Sequence, residues 1–354
     1  NKNIIIAASG TGGHIYPGLS IANELKNRGY NPIFFISDNE TSKTIIKNSS
    51  FKYIPFNLSG MPRPISLSFI SFCIKLSLSF CKSFIYIYSL KPICVISTGG
   101  YIGVPSLFAA KILGKKTYIH EQNVIAGKAN RLLSRIASEV FVSFEGSLRY
   151  FDAKKTIVTG YPIRKDIFST DFVKARETLK IDKDKYAILI FGGSLGAKIL
   201  NEIAFKAVQL LPFKENLCIL HIAGQRGYED LYKKAKDLPF YRVFEYMHDI
   251  YNAYSAANLI ISRSGAGSVF EIKALNKPAI FIPLANSADN HQLYNAKEAY
   301  KENFIEIIEE KNLSADLLHK TILKLQKNSA AISVASEIQA AQMKISDIVL
   351  QAAR

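Results

Sequence analysis

Residues 3–25, NIIIAASGTGGHIYPGLSIANEL, set the reading of the whole chain. An isoleucine-rich run with no polar alternation reads as a strand buried on both faces of a parallel sheet. A glycine cluster follows it, and a helix-patterned segment leaves the cluster. Strand, bare turn and helix make the first half of a βαβ unit. The stretch YAILIFGGSLGAKILNEIAF at 186–205 opens in the same way. A chain of 354 residues is too long for one ordinary core. The expected fold class is therefore α/β, with two Rossmann-like doubly wound domains facing each other across a cleft.

Short apolar runs alternate with amphipathic segments on both sides of that restart. Strands are expected at 3–8, 32–36, 93–97, 117–120 and 139–142 in the first half. In the second half they are expected at 187–191, 218–223, 242–245, 259–262 and 279–282. TGYPIRKDIF at 159–168 reads as the linker, which gives domains at 1–161 and 162–335. The tail has a helical pattern (Ile332, Ile338, Ala341, Ile345, Ile348), so 336–354 is expected to form a helix crossing back to the first domain.

Glycine turns between strand and helix let phosphate oxygens approach main-chain N–H groups at the positive end of a helix. Four such turns occur, at Gly10–Gly13, Gly99–Gly103, Gly192–Gly196 and in SRSGAGSVFE at 262–271. Tight βα turns also use glycine for packing alone, so it is the set of four that points to a pyrophosphate-bearing ligand. No G-x-x-x-x-G-K-[ST] loop exists. The dinucleotide fingerprint G-x-G-x-x-G fails at Ile15, although Asp38 lies where a NAD-ribose carboxylate would sit. A nicotinamide oxidoreductase is thus a runner-up. Pro17 is expected to favour an early turn of the first helix.

The net charge of +16 is uneven: residues 1–161 hold 19 Lys+Arg against 7 Asp+Glu, and the remainder 26 against 22. A basic first half implies an anionic partner. With no nucleic-acid signature present, a membrane surface is preferred. The stretch ISLSFISFCIKLSLSFCKSFIYIYSL (65–90) carries only Lys75 and Lys82 as charges. Its lysines and serines are expected to break it into pieces too short to span a bilayer. Part of it is expected to pack, and part to dock on a membrane with the lysines on anionic head groups. Four cysteines without C-x-x-C spacing suggest a reduced, cytosolic setting, and the first segment reads as a buried strand and not as a signal peptide, so secretion is not expected.

Together, GTGGHIYPGLSIANEL (10–25), GGYIGVPS (99–106), HEQN (120–123), GGSLGAKILNE (192–202) and SRSGAGSVFEI with ADNHQLYNA (262–272, 288–296) resemble the MurG family of peptidoglycan glycosyltransferases. The resemblance covers nearly the whole chain, in the family order. It implies a GT-B fold, with the acceptor and membrane side in the first domain and the UDP-sugar donor in the second. It implies inverting transfer of N-acetylglucosamine from UDP-N-acetylglucosamine to the muramyl 4-hydroxyl of lipid I, forming lipid II. The setting implied is peripheral, on the cytoplasmic face of the inner membrane, with no cofactor, no metal and no nucleic acid.

Such a transfer needs help in deprotonating the hydroxyl and in stabilising the departing diphosphate. His14, at the mouth of the first helix, is the candidate base, and a capping or packing histidine is the plain alternative. Glu121 is the rival base, or a residue that orients the acceptor. Arg164 is the candidate for a forked grip on diphosphate, with Ser194 and neighbouring N–H groups completing a cradle. By resemblance Thr11, Gly12, Gly13, Tyr101, Asn123 and Asn201 also bind substrate. Ala266, Gly267, Ser268, Val269 and Phe270 would line the nucleotide, Met247 pack by uracil and Gln292 reach the sugar. Glu271 is expected to hold both ribose hydroxyls; its alternative is pairing with the helix dipole from a first-turn position. Asp182-Lys-Asp184 matches a metal-binding D-x-D string but reads as a surface turn. The rival functions are a UDP-sugar epimerase of the same architecture and a non-catalytic nucleotide-binding module.

Overall fold

The computed structural model describes residues 2–10, 12–58, 60–62, 67–193, 196–300, 304–328 and 341–352. The chain divides into two compact units, one formed by 1–164 with 339–354 and the other by 165–338.

The first unit runs β1 (Asn3–Ala8), α1 (Gly12–Asn27), β2 (Asn31–Ser37), α2 (Glu40–Lys47), β3 (Lys52–Phe56), α3 (Leu67–Leu90), β4 (Cys94–Gly99), α4 (Gly103–Ile112), β5 (Lys116–Glu121), α5 (Lys128–Leu133), β6 (Glu139–Val142) and β7 (Thr156–Val158). Its strands form one parallel sheet in the order β3-β2-β1-β4-β5-β6-β7. Side chains of a strand alternate between faces, and β1 divides accordingly. Ile4, Ile6 and Ala8 join a core with Ile15, Leu19 and Leu25 of α1. Ile5 and Ala7 join another with Phe72 and Ile87 of α3 and Leu107 of α4. Helices therefore cover both faces, which is why β1 lacks a polar stripe.

The second unit runs α6 (Phe172–Leu179), β8 (Tyr186–Phe191), α7 (Lys198–Gln209), β9 (Leu217–Ile222), α8 (Tyr228–Ala235), β10 (Tyr241–Phe244), α9 (Ile250–Ala256), β11 (Leu259–Ser262), α10 (Ala266–Ala274), β12 (Ala279–Phe281), α11 (His291–Ala299), β13 (Ile305–Ile307) and α12 (Ala315–Asn328). Its parallel sheet has the order β10-β9-β8-β11-β12-β13. The last helix, α13 (Ala341–Gln351), belongs to the first unit. Its Ile345 and Val349 are fully buried in the core against α1, and Asp347 pairs with Arg28.

Three details depart from the sequence reading. Helix α1 begins at Gly12, so Pro17 is its sixth residue and not part of its first turn. Proline has no N–H, so the Gly13 carbonyl lacks its usual i+4 donor. The lysines and serines of 65–90 do not break it: α3 is one continuous helix of 24 residues. Ser68–Leu90 is long and apolar enough to cross a membrane by length and composition. One side of it, however, is built into the fold. Finally, the Lys82 ammonium donates to the Pro55 carbonyl (2.6 Å) and lies 5.0 Å from the Phe56 ring centroid, so it is held by β3 and not by an outer surface.

Candidate active site

In doubly wound sheets ligands bind beyond the carboxyl ends of the strands, where the strand order reverses. In the first unit that point lies between β1 and β4, and the turns after them are Ser9–Gly13 and Gly99–Gly103. The two turns interlock. The Ser9 N–H donates to the Gly99 carbonyl (3.2 Å), and the Ile102 N–H donates to Ser9 Oγ (3.3 Å). A Cβ on Gly100 would lie 2.1 Å from Ser9 Oγ, and one on Gly99 2.5 Å from His14 Nδ1; both residues have positive φ. The glycines after β4 are thus bare to admit the protein itself, and the His14 ring rests on one of them. Gly12 is similarly closed by the Tyr16 ring, 2.8 Å from a built Cβ. Gly13 is exposed, and Thr11 lies outside the described residues.

His14 is half-buried, with Nδ1 3.0 Å from Gln122 Oε1. Its own carbonyl accepts from Thr98 Oγ1 (2.8 Å), which fixes the start of α1 against β4. Glu121, the last residue of β5, is only 1% exposed. Its Oε1 accepts from the Asn123 N–H (3.0 Å) and Asn123 Nδ2 (3.5 Å). Its Oε2 accepts from the Gly127 N–H (3.0 Å) and Asn130 Nδ2 (2.8 Å). Both oxygens are thus used to shape the loop after β5. Tyr101 stands edge-on to Phe72 of α3 at 6.0 Å, the Asn123 carbonyl accepts from Ser147 Oγ, and the Arg164 guanidinium lies 4.9 Å from the Tyr16 ring centroid. Arg164 therefore belongs to the first unit and flanks the helix that carries His14. His120 is fully buried, and burial pulls its pKa down to about 4 against the opposing pull of its bond to the Gly160 carbonyl.

The second unit repeats the geometry between β8 and β11. Here the glycines divide by task. Gly192 and Gly196 are closed by Ala197 and by the Ala223 carbonyl, each under 2.5 Å from a built Cβ. Gly193 (φ +95°) and Gly265 would meet nothing within 4 Å. Open space beside bare main chain is what a phosphate or sugar approach needs. Ser194 lies outside the described residues. Gly265 caps α10, whose first-turn N–H groups at 266–268 are orphan donors by helix geometry. Ala266 and Val269 point into the core, whereas Gly267, Ser268 and Phe270 are half-buried. Glu271 is the sixth residue of α10, so pairing with the dipole at the first turn does not explain it. It is buried, at 8% exposure.

The loop after β12 is held around this turn. Arg263 donates to the Ile282 carbonyl (3.0 Å) and pairs with Glu310, whose other oxygen accepts from the Ala285 N–H. Gln292 Oε1 accepts from the Leu284 N–H (3.0 Å), and the Gln292 carbonyl accepts from Ser264 Oγ (2.8 Å). Met247 is half-buried in the loop after β10. Asn201 is committed internally: Nδ2 donates to the Ala223 carbonyl (2.9 Å) and Oδ1 lies 3.0 Å from His221 Nε2. Asp38 pairs with Lys43 at 2.5 Å, so the carboxylate that kept a nicotinamide enzyme in play is taken up by α2. Asp182 and Asp184 lie on an exposed loop whose carbonyls Arg176 clasps. Among the described residues no group of three or more His, Cys, Asp or Glu could hold a metal ion.

Sequence reading passed over Gln122 and Arg263, although both lie inside quoted motifs. Their signal was polarity next to buried strand ends, which only contacts made far along the chain render meaningful.

Two Rossmann-like α/β units, each with glycine turns at its switch point, make the fold that of a GT-B glycosyltransferase. Residues 4–142 match the glycosyltransferase family 28 N-terminal domain, and residues 187–351 match the glycosyltransferase family 28 C-terminal domain. The chain belongs to glycosyltransferase family 28. It is 35% identical over 333 residues to the UDP-N-acetylglucosamine–N-acetylmuramyl-(pentapeptide) pyrophosphoryl-undecaprenol N-acetylglucosamine transferase of Elusimicrobium minutum, covering 92% of this chain and 91% of that one. It is 36% identical over 338 residues to the enzyme of the same name from Thermoanaerobacter sp., covering 93% and 92%. Among solved structures, MurG of Acinetobacter baumannii superposes with a TM-score of 0.76 at 27% identity, over 99% of this chain and 100% of that one. UDP-GlcNAc 2-epimerase of Neisseria meningitidis shares the fold alone, at 15% identity, a TM-score of 0.69 and coverage of 99% and 100%.

Proposed function

We propose that this glycosyltransferase moves N-acetylglucosamine, with inversion, from UDP-N-acetylglucosamine to the muramyl 4-hydroxyl of lipid I, making lipid II for peptidoglycan. One observation carries this reading: relatives bearing that one activity align over nine-tenths of both chains.

The site geometry supports a division of labour. His14 takes the acceptor proton, because it is the basic side chain at the first switch point whose ring is not enclosed by the protein. Glu121 acts as a scaffold, since its carboxylate already accepts four donors. Donor diphosphate lies against the main chain at Gly193 and the first turn of α10, with Ser194 adding hydrogen bonds, and Arg164 of the first unit is a phosphate-binding guanidinium by family resemblance. Oriented N–H groups and a guanidinium can offset the charge on departing UDP. Glu271 and Gln292 hold ribose and sugar; Met247 and the 266–270 segment hold the nucleoside. Thr11, Gly12, Gly13, Tyr101 and Asn123 position the acceptor, and Asn201 acts by bracing the turn.

The enzyme works on an anionic membrane surface, docked by the outer face of α3. Ile70, Ile74, Leu78, Ile85 and Tyr88 are each more than half exposed and recur at helical spacing on one side. That stripe runs roughly 27 Å at 1.5 Å per residue. Phe72, Ser79, Ser83 and Ile87 on the other side are buried, so the helix presents a surface and remains part of the fold.

The test supplies UDP-N-acetylglucosamine with and without a lipid I analogue. UDP should appear only with acceptor, and the α-linked donor should yield a β-linked disaccharide. UDP or an epimerised sugar formed without acceptor would refute the transfer reading.

A further inference from the structure

Gln122 lies at the end of β5 and is only 2% exposed, so water cannot replace its partners. One end of its amide lies 2.6 Å from the Thr98 carbonyl oxygen, 2.9 Å from the His120 carbonyl oxygen and 3.0 Å from His120 Nδ1. Carbonyl oxygens only accept, so the group facing them is the NH2. The other end, Oε1, faces His14 Nδ1 at 3.0 Å and can only accept from it. Reversing the amide would set an oxygen against two carbonyl oxygens.

A second constraint agrees from the far side. His120 Nε2 lies 3.2 Å from the Gly160 carbonyl, so that nitrogen carries the hydrogen. A neutral His120 then has a bare Nδ1, ready to accept from the Gln122 amide. Burial keeps His120 neutral. Donation therefore runs one way only, from His14 through the Gln122 amide to the main-chain carbonyls of Thr98 and His120, and from His120 to the Gly160 carbonyl.

We infer that Gln122 is a positioning residue that locks His14 in the Nδ1–H tautomer and so leaves the lone pair on Nε2 for the acceptor hydroxyl. The same bond holds the ring beside Gly99, where a side chain would displace it. This inference rests on the reading of His14 as base. An aliphatic residue of similar length at 122 would leave the ring in place by packing but free to exchange tautomers.

The experiment is histidine 15N NMR on the whole protein at a pH where His14 is neutral, its signals assigned by their loss in His14→Gln. Wild type should show a protonated Nδ1 and a bare Nε2. Gln122→Met should show a tautomer mixture, with kcat lowered roughly 10-fold or more and KM for UDP-N-acetylglucosamine within about twofold. Wild-type His14 protonated on Nε2 would overturn the lock without recourse to any variant. A fixed Nδ1–H tautomer with unchanged kcat in Gln122→Met would overturn its part in catalysis. Full activity in His14→Gln would instead remove the base reading beneath it, and the tautomer spectrum would tell the two failures apart.

Discussion

Glycine and histidine each do two kinds of work in this chain, and their surroundings separate them. Gly99 and Gly100 are closed by His14 and Ser9, whereas Gly193 and Gly265 face open space; the string of letters is the same in both cases. His14 is half-exposed, while His221 is fully buried between Tyr241 Oη (2.6 Å) and Asn201 Oδ1 (3.0 Å). Burial pulls the His221 pKa down to about 3 from an ordinary 6.5. Between those values the unfolded chain binds a proton that the folded chain refuses. Stability from this residue is therefore complete above about pH 6.5 and drains as the pH falls toward 3, at up to about 1.4 kcal/mol per unit. Urea titrations at pH 7 and pH 5 should show wild type losing more stability than His221→Gln, which is weaker at pH 7 but lacks this slope. Equal losses would contradict the buried-neutral assignment. The candidate residues were visible as motifs, but whether a side chain faced ligand or core was not. Glu121 and Asn201 illustrate this: their partners at Asn130 and His221 lie 9 and 20 residues away.

At the level of elements, the ten expected strands all form, and the three that escaped sequence reading are β3, β7 and β13. All three are edge strands. An edge strand is short, paired on one side only and under little pressure to be uniformly apolar. KYIPF accordingly carries a proline, and β7 and β13 have three residues each. Helix α3 was misjudged for a different reason. Two lysines look like interruptions in a linear string, but a lysine can lay its stem along apolar surface and direct its ammonium to a carbonyl, as Lys82 does. The consequence is a whole-length outer stripe. Replacing Ile74, Leu78 and Ile85 with serine should abolish flotation with anionic vesicles while leaving the melting temperature within about 2 °C, since these exposed side chains bury little on folding. Unchanged flotation would remove α3 as the docking face.

Across the whole molecule, two units of like topology each place a pair of glycine turns where strand order reverses. Two-unit organisation was readable because NIIIAASG and YAILIFGG restart the same pattern. The return of α13 to the first unit rests on Ile345 and Val349, whose spacing of four was present in the tail. Chemistry follows from what each switch point offers: an imidazole in the first, open main chain and a capped helix in the second. The account stands on the first of these, that the His14 imidazole removes the acceptor proton while Glu121 only shapes the loop. The most direct measurement is kcat at saturating donor and acceptor for His14→Gln beside Glu121→Gln. His14→Gln should lose roughly 10²–10⁴-fold in kcat with a wild-type melting temperature. Glu121→Gln should lose about 1–3 kcal/mol of stability and retain more turnover. A His14→Gln enzyme turning over at the wild-type rate, with Glu121→Gln folded but inactive, would contradict it.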